Sequence, residues 1–175
     1  MDFTQDHFSL FGLPHRYSVD LQDLENLYRE IQARVHPDKH VKLSDAERRL
    51  AMQWSTQVNE AYRTLRHPLR RAQYFLHLAG IDIGLERNTA MPPEFLMQQM
   101  EWREALEEVK KAVDYAALEQ LHSRMKQEMA DQYQRLDRQL GSAASYLAAA
   151  GTIRQMMFQE RLLEEIDDAL AAIET

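Results

Sequence analysis

Leu27-Tyr28-Arg29-Glu30-Ile31-Gln32-Ala33-Arg34-Val35-His36-Pro37-Asp38-Lys39 decides how this chain is read. Its first nine residues continue a helical pattern that begins after Asp20. Leu21, Leu24, Tyr28, Ile31 and Val35 recur there at the spacing of one helix face. The helix must stop near His36, because proline disfavours helix in the residue before it and has no amide hydrogen to give. A second pattern opens after Ser44, where Asp45 and Glu47 suit a helix N-terminus. Its stripe is Leu50, Trp54, Val58, Ala61 and Leu65, and Pro68 ends it. Two amphipathic helices joined by a short loop pack antiparallel with their stripes facing. His36-Pro37-Asp38 therefore falls on the loop of a helical hairpin. There the proline stiffens the backbone and presents the imidazole and the carboxylate at the tip.

Working outward, Phe8-Ser9-Leu10-Phe11-Gly12-Leu13, closed by Pro14, is a short apolar segment able to cap the hairpin. A third short helix is expected from about Leu69 to Leu78. The breakers from Gly80 to Gly84 and at Met91-Pro92-Pro93 mark a linker. Three more helical patterns follow, at about 93–111, 115–140 and 142–173. In the middle one Leu118, Leu121, Met125, Met129, Leu136 and Leu140 form the stripe. In the last, Ile153, Met156, Leu163 and Leu170 do so. Gly141-Ser142 separates the last two, with Ser142 expected as an N-cap and Gly151 as a point of bending or breakage. The expected fold is all-α: a helical hairpin with short helices over 1–76, a linker over 77–91 and a three-helix bundle over 92–175.

Composition narrows the function. Glycine and proline are scarce, five each, while helix formers abound. No apolar run approaches a bilayer's thickness and no signal-peptide pattern opens the chain, so no membrane role is expected. Cysteine is absent, which excludes disulfides and thiolate-held metal and suits a reducing cytoplasm. The net charge of −7 argues against nucleic-acid binding. That charge is unevenly divided, with +1 over residues 1–78 and −8 over residues 79–175, as expected of two modules with different partners. No nucleophile–base pair, phosphate-binding glycine loop or paired-carboxylate site has supporting context, so no enzyme and no cofactor is expected. His36 and His40 are four apart, a zinc spacing on a continuous helix. Pro37 breaks that helix and no third ligand is evident beyond Asp38, so no metal site is expected.

Two surfaces remain as candidates. Arg29, Arg34, Lys39 and Lys42, with His36 and His40, gather positive charge on and beside the first long helix, suited to an acidic partner. In the helix from Pro93, residues Phe95, Gln99, Trp102, Leu106 and Val109 share one face at about 100° per residue. Leu96, Met97 and Met100 point the opposite way, alongside Glu101, Glu104 and Glu108. Phe158 is likewise expected to point well away from its helix's stripe. Such surplus apolar side chains mark either a partner site or a bundle with wide burial. The pattern alone leaves both readings open.

The hairpin with Val58-Asn59-Glu60-Ala61-Tyr62-Arg63-Thr64-Leu65, Pro68 and Arg70-Arg71-Ala72-Gln73-Tyr74 resembles a J-domain, the module that activates DnaK-type chaperones. Phe95-Leu96-Met97-Gln98-Gln99-Met100-Glu101-Trp102-Arg103-Glu104 and Ile153-Arg154-Gln155-Met156-Met157-Phe158 extend the resemblance, over nearly the whole chain, to the HscB-type co-chaperones of iron–sulfur cluster assembly. The resemblance implies that His36, Pro37 and Asp38 contact the chaperone HscA, whose ATP hydrolysis is thereby accelerated. It implies that the second module binds the scaffold protein IscU through Leu96, Met97, Met100, Glu101, Glu104, Glu107, Glu108 and Phe158. Met100 stands where that family pattern has leucine, and Glu107 where it has aspartate. A J-protein serving another client and a small helical metalloprotein are the alternatives.

Overall fold

In a computed structural model of the chain, the described residues are 2–35, 44–84 and 91–173. Seven α-helices are seen among them: α1 (His7–Leu10), α2 (Leu21–Val35), α3 (Asp45–Arg66), α4 (Pro68–Leu78), α5 (Pro93–Ala112), α6 (Tyr115–Leu140) and α7 (Tyr146–Ile173). A 3₁₀ turn, Ala143–Ser145, precedes α7. No strand occurs among the described residues. The chain divides into two compact units, Met1–Phe75 and Leu76–Thr175.

In the first unit α2 and α3 run antiparallel, as their cross-contacts demand. Glu25 meets Tyr62, and Tyr28 and Gln32 meet Asn59, so one sequence rises as the other falls. Asp6 starts α1 by accepting from the amides of Phe8 and Ser9. Ser44 starts α3 with a capping box: its Oγ accepts from the Glu47 amide while the Glu47 carboxylate accepts from the Ser44 amide. Phe8, Leu10 and Phe11 close over Leu24, Val58, Ala61 and Leu65 to form the core, flanked by Tyr28, Ile31, Trp54, Tyr74 and Phe75. Two stripe residues depart from expectation. Leu21 and Leu50 are half exposed, and each lies within the first two turns of its helix. At the α3–α4 corner, buried Arg71 donates through Nη1 to the Leu65 carbonyl and lies over the Tyr17 ring, 5.1 Å from its centroid.

In the second unit α6 and α7 pack along their length, and α5 packs against both. All six expected stripe residues of α6 are buried. In α7 the buried line is Ile153, Met156, Leu162 and Ile166, whereas Leu163 and Leu170 are only half-buried. The expectation was therefore displaced by one residue over the C-terminal half. Gly151 does not break the helix, which continues through it. Ser142 precedes the 3₁₀ turn without a side-chain cap bond, so its expected capping role is corrected. Arg154 of α7 donates through Nη1 to the Ile83 carbonyl at 2.7 Å, and Ile83 is itself buried. This part of the expected linker is thus tied into the second unit.

Candidate functional site

The bundle presents α5 in two halves. Phe95, Gln99, Trp102 and Leu106 are buried. Phe95 and Trp102 meet edge to face with centroids 6.3 Å apart. At about 100° per residue, Leu96, Met97, Met100, Glu101, Glu104, Glu107 and Glu108 fall within an arc of roughly 140° opposite the buried stripe. All seven are exposed. Three apolar side chains thus stand on the surface among four carboxylates. Exposed in this way, the three apolar side chains stand outside the fold's core.

Phe158 behaves differently from the expectation. It is half-buried, packs against the core cluster of the second unit, and meets Phe95 edge to face at 6.3 Å. The Arg103 guanidinium lies 5.2 Å from the centroid of its ring. The difference arises because α5 crosses α7 at this point, so a side chain off the α7 stripe still finds an aromatic neighbour.

The positive surface of the first unit is only partly visible. His36, Pro37, Asp38, Lys39 and Lys42 lie outside the described residues. Arg29 and Arg34 are both exposed on α2, and each has a carboxylate one turn back. Arg29 is 2.9 Å from Glu25, and Arg34 is 3.7 Å from Glu30. Glu25 also accepts from the Tyr62 hydroxyl. That bond first, and the Arg29 contacts after it, hold its carboxyl below the ordinary carboxylate range. Tyr62, Glu25 and the neighbouring Arg66 were not singled out in the sequence, because the contact joins residues 37 positions apart on two helices.

Among the described residues no cluster of histidine, aspartate and glutamate is arranged to hold a metal ion. No helix there is long and apolar enough to cross a membrane. A helical hairpin unit joined to a bundle that carries an exposed apolar, acid-rimmed face is an architecture suited to holding other proteins.

Residues 91–167 match the family described as HSCB C-terminal oligomerisation domain. The chain is 52% identical to the co-chaperone protein HscB homolog of Azoarcus sp. (strain BH72), over 99% of this chain and 98% of that one. It is 50% identical to the homolog of Ralstonia nicotianae over 95% of each. Among solved structures, the chaperone HscB from Vibrio cholerae superposes with a TM-score of 0.85 at 36% identity, covering 97% of this chain and 99% of that one. Human co-chaperone protein HscB superposes with a TM-score of 0.88 at 30% identity, covering 95% of this chain and 83% of that one. The chain belongs to the HscB family of co-chaperones, and its fold is an N-terminal J-domain followed by a C-terminal helical domain. The family is one of co-chaperones, not of enzymes.

Proposed function

We propose that this chain stimulates the ATPase of the DnaK-type chaperone HscA and delivers to it the iron–sulfur scaffold protein IscU, in the cytoplasm. The observation that carries the reading is the exposed face of α5. Leu96, Met97 and Met100 lie in water among Glu101, Glu104, Glu107 and Glu108, on the side away from the bundle core. Exposed apolar groups rimmed by charge suit a protein partner, with the carboxylates favouring a basic one. Phe158, half-buried against Phe95 with the Arg103 guanidinium over its ring, is counted with the same surface. Residues 1–76 serve as the J-domain and residues 92–175 as the scaffold-binding domain. His36, Pro37 and Asp38, with Arg29, Arg34, Lys39 and Lys42, dock on the chaperone.

Holding chaperone and client on one chain replaces an encounter of three bodies by an encounter of two, which raises the effective concentration of client at the chaperone. Hydrolysis itself uses the partner's residues. The test measures HscA ATPase against co-chaperone concentration, with and without IscU. The wild-type chain stimulates, and IscU increases the stimulation. His36→Gln abolishes it at every concentration. Stimulation unchanged by His36→Gln overturns the docking role. Stimulation indifferent to IscU leaves a co-chaperone with another client.

A further inference from the structure

Arg29 is not a free surface cation. Its Nε and Nη2 both reach one oxygen of Glu25, Oε1, at 3.0 and 2.9 Å. The other oxygen, Oε2, accepts from the Tyr62 hydroxyl of α3. Tyr62 is fixed in turn. Its ring stacks on Tyr28 of α2, with centroids 4.0 Å apart and planes 16° from parallel. Tyr28 donates to Asn59 Oδ1 at 2.9 Å, and Gln32 donates to the same oxygen at 2.6 Å. Beyond the Arg29–Glu25 pair within α2, each link joins α2 to α3, so the Arg29 guanidinium is referenced to both helices. A guanidinium has five N–H groups. Glu25 engages two, and the Arg29 side chain remains largely exposed. On the α3 side, Arg66 lies 5.8 Å from the Tyr62 ring centroid, and its charge is felt by the same Glu25 carboxylate. One carboxylate therefore faces two guanidinium groups, and a positive excess spans the two helices.

We infer that Tyr62 and Glu25 are positioning residues that hold Arg29 ready for an acidic surface of the chaperone, and that Arg66 extends this cationic edge onto α3. The inference rests on the chaperone-docking reading above. A free arginine samples many rotamers and loses them on docking, whereas a clamped one has already lost them. Glu25 serves this purpose because it binds through one oxygen only and leaves the outer N–H groups available. Tyr62 serves it because a hydroxyl orients the carboxylate without adding charge.

The test titrates the ATPase of the DnaK-type chaperone with the full chain and reads two quantities, the half-stimulating concentration and the maximal stimulation. Tyr62→Phe keeps the ring and its stacking and removes only the hydroxyl. It is expected to raise the half-stimulating concentration about three- to tenfold, the scale of ordering one long side chain at an interface, with the maximum unchanged. Arg66→Ala is expected to move the same quantity in the same direction. In an Arg29→Ala background, Tyr62→Phe is expected to have no further effect, because the guanidinium it positions is gone. A merely structural hydroxyl would act alike in both backgrounds, and that result overturns the inference. So does a Tyr62→Phe chain with wild-type titration behaviour. Glu25→Asp provides the second variant. It keeps the charge but is too short to reach both Arg29 and Tyr62, and it follows Tyr62→Phe if the clamp is real. If Arg29→Ala itself leaves the titration unmoved, the docking reading fails and the clamp with it.

Discussion

Replacing Leu96, Met97 and Met100 together with alanine tests the α5 face most directly, and its size follows from exposure. These side chains are 45%, 59% and 62% exposed, together roughly 1.7 fully exposed residues of apolar surface. Complete burial of one such side chain is worth about 1.5–3 kcal/mol, so a client covering all three gains about 2.5–5 kcal/mol. Ordering three side chains that are already partly packed costs near the low end of about 0.5–1.5 kcal/mol each, about 1.5 kcal/mol in all. A net of about 1–3.5 kcal/mol remains, or roughly a 5- to 400-fold loss of affinity for IscU on truncation. The assay is calorimetric titration of IscU into the full-length variant at fixed salt. The thermal transition should stay within about 2 °C of wild type, since these side chains lie outside the core and alanine favours helix. ATPase stimulation without client should also be unchanged. An affinity loss below about threefold, with the fold intact, refutes the assignment of this face.

Three further outcomes concern stability. Val113 ends α5 at φ 51°, a left-handed conformation that is unfavourable for a β-branched residue. Val113→Gly should stabilise the second unit by about 0.5–1 kcal/mol after the entropy cost of glycine, seen as a rise of about 3–6 °C in its melting transition. A fall in melting temperature would show that Val113 is not strained. Ser44→Ala removes half of the α3 capping box and should cost the first unit about 1 kcal/mol, read by chemical denaturation monitored at 222 nm. An unchanged midpoint contradicts the capping role. His7 stacks on Tyr74 at 4.1 Å and is half-buried, which holds its protonation below the ordinary 6.5. The unfolded chain therefore binds a proton that the folded chain resists, and stability of the first unit falls as pH drops from 6.5 toward the lowered folded value. His7→Phe keeps the stacking and should flatten that slope in denaturation midpoints measured from pH 7 to pH 5, whereas an equally steep slope assigns it to another group.

Helix positions were legible because breakers and caps bound them. Pro37, Ser44, Pro68 and Pro93 each fall at or beside a helix end, and the residues between carry an unambiguous stripe. The α7 register was less legible for a physical reason. Met156-Met157 and Leu162-Leu163 are adjacent apolar pairs, so two neighbouring lines on one helix are almost equally hydrophobic. Only packing against α5 and α6 chooses between them. Phe158 was misjudged because it lies off the stripe yet beside a crossing helix, which a single-helix projection omits. Leu50 illustrates the reverse: it shares the periodicity of α3 yet is half exposed. At the candidate site, the exposure of Leu96, Met97 and Met100 was readable from spacing within one helix. The Glu25–Tyr62 contact was not, since tertiary pairing leaves no local pattern. The left-handed turn at Val113 was equally hidden, as valine there contradicts every local preference.

The aromatic contact of Phe158 with Phe95, and the guanidinium above its ring, tie one side chain to the interior and to the surface at once. Leu96, Met97 and Met100 have no such double allegiance. Substitutions can accumulate at these three positions of α5 at little structural cost, whereas any change at Phe158 must satisfy two demands together. The exterior of the bundle is thus divided between positions open to evolutionary drift and one that the architecture itself polices.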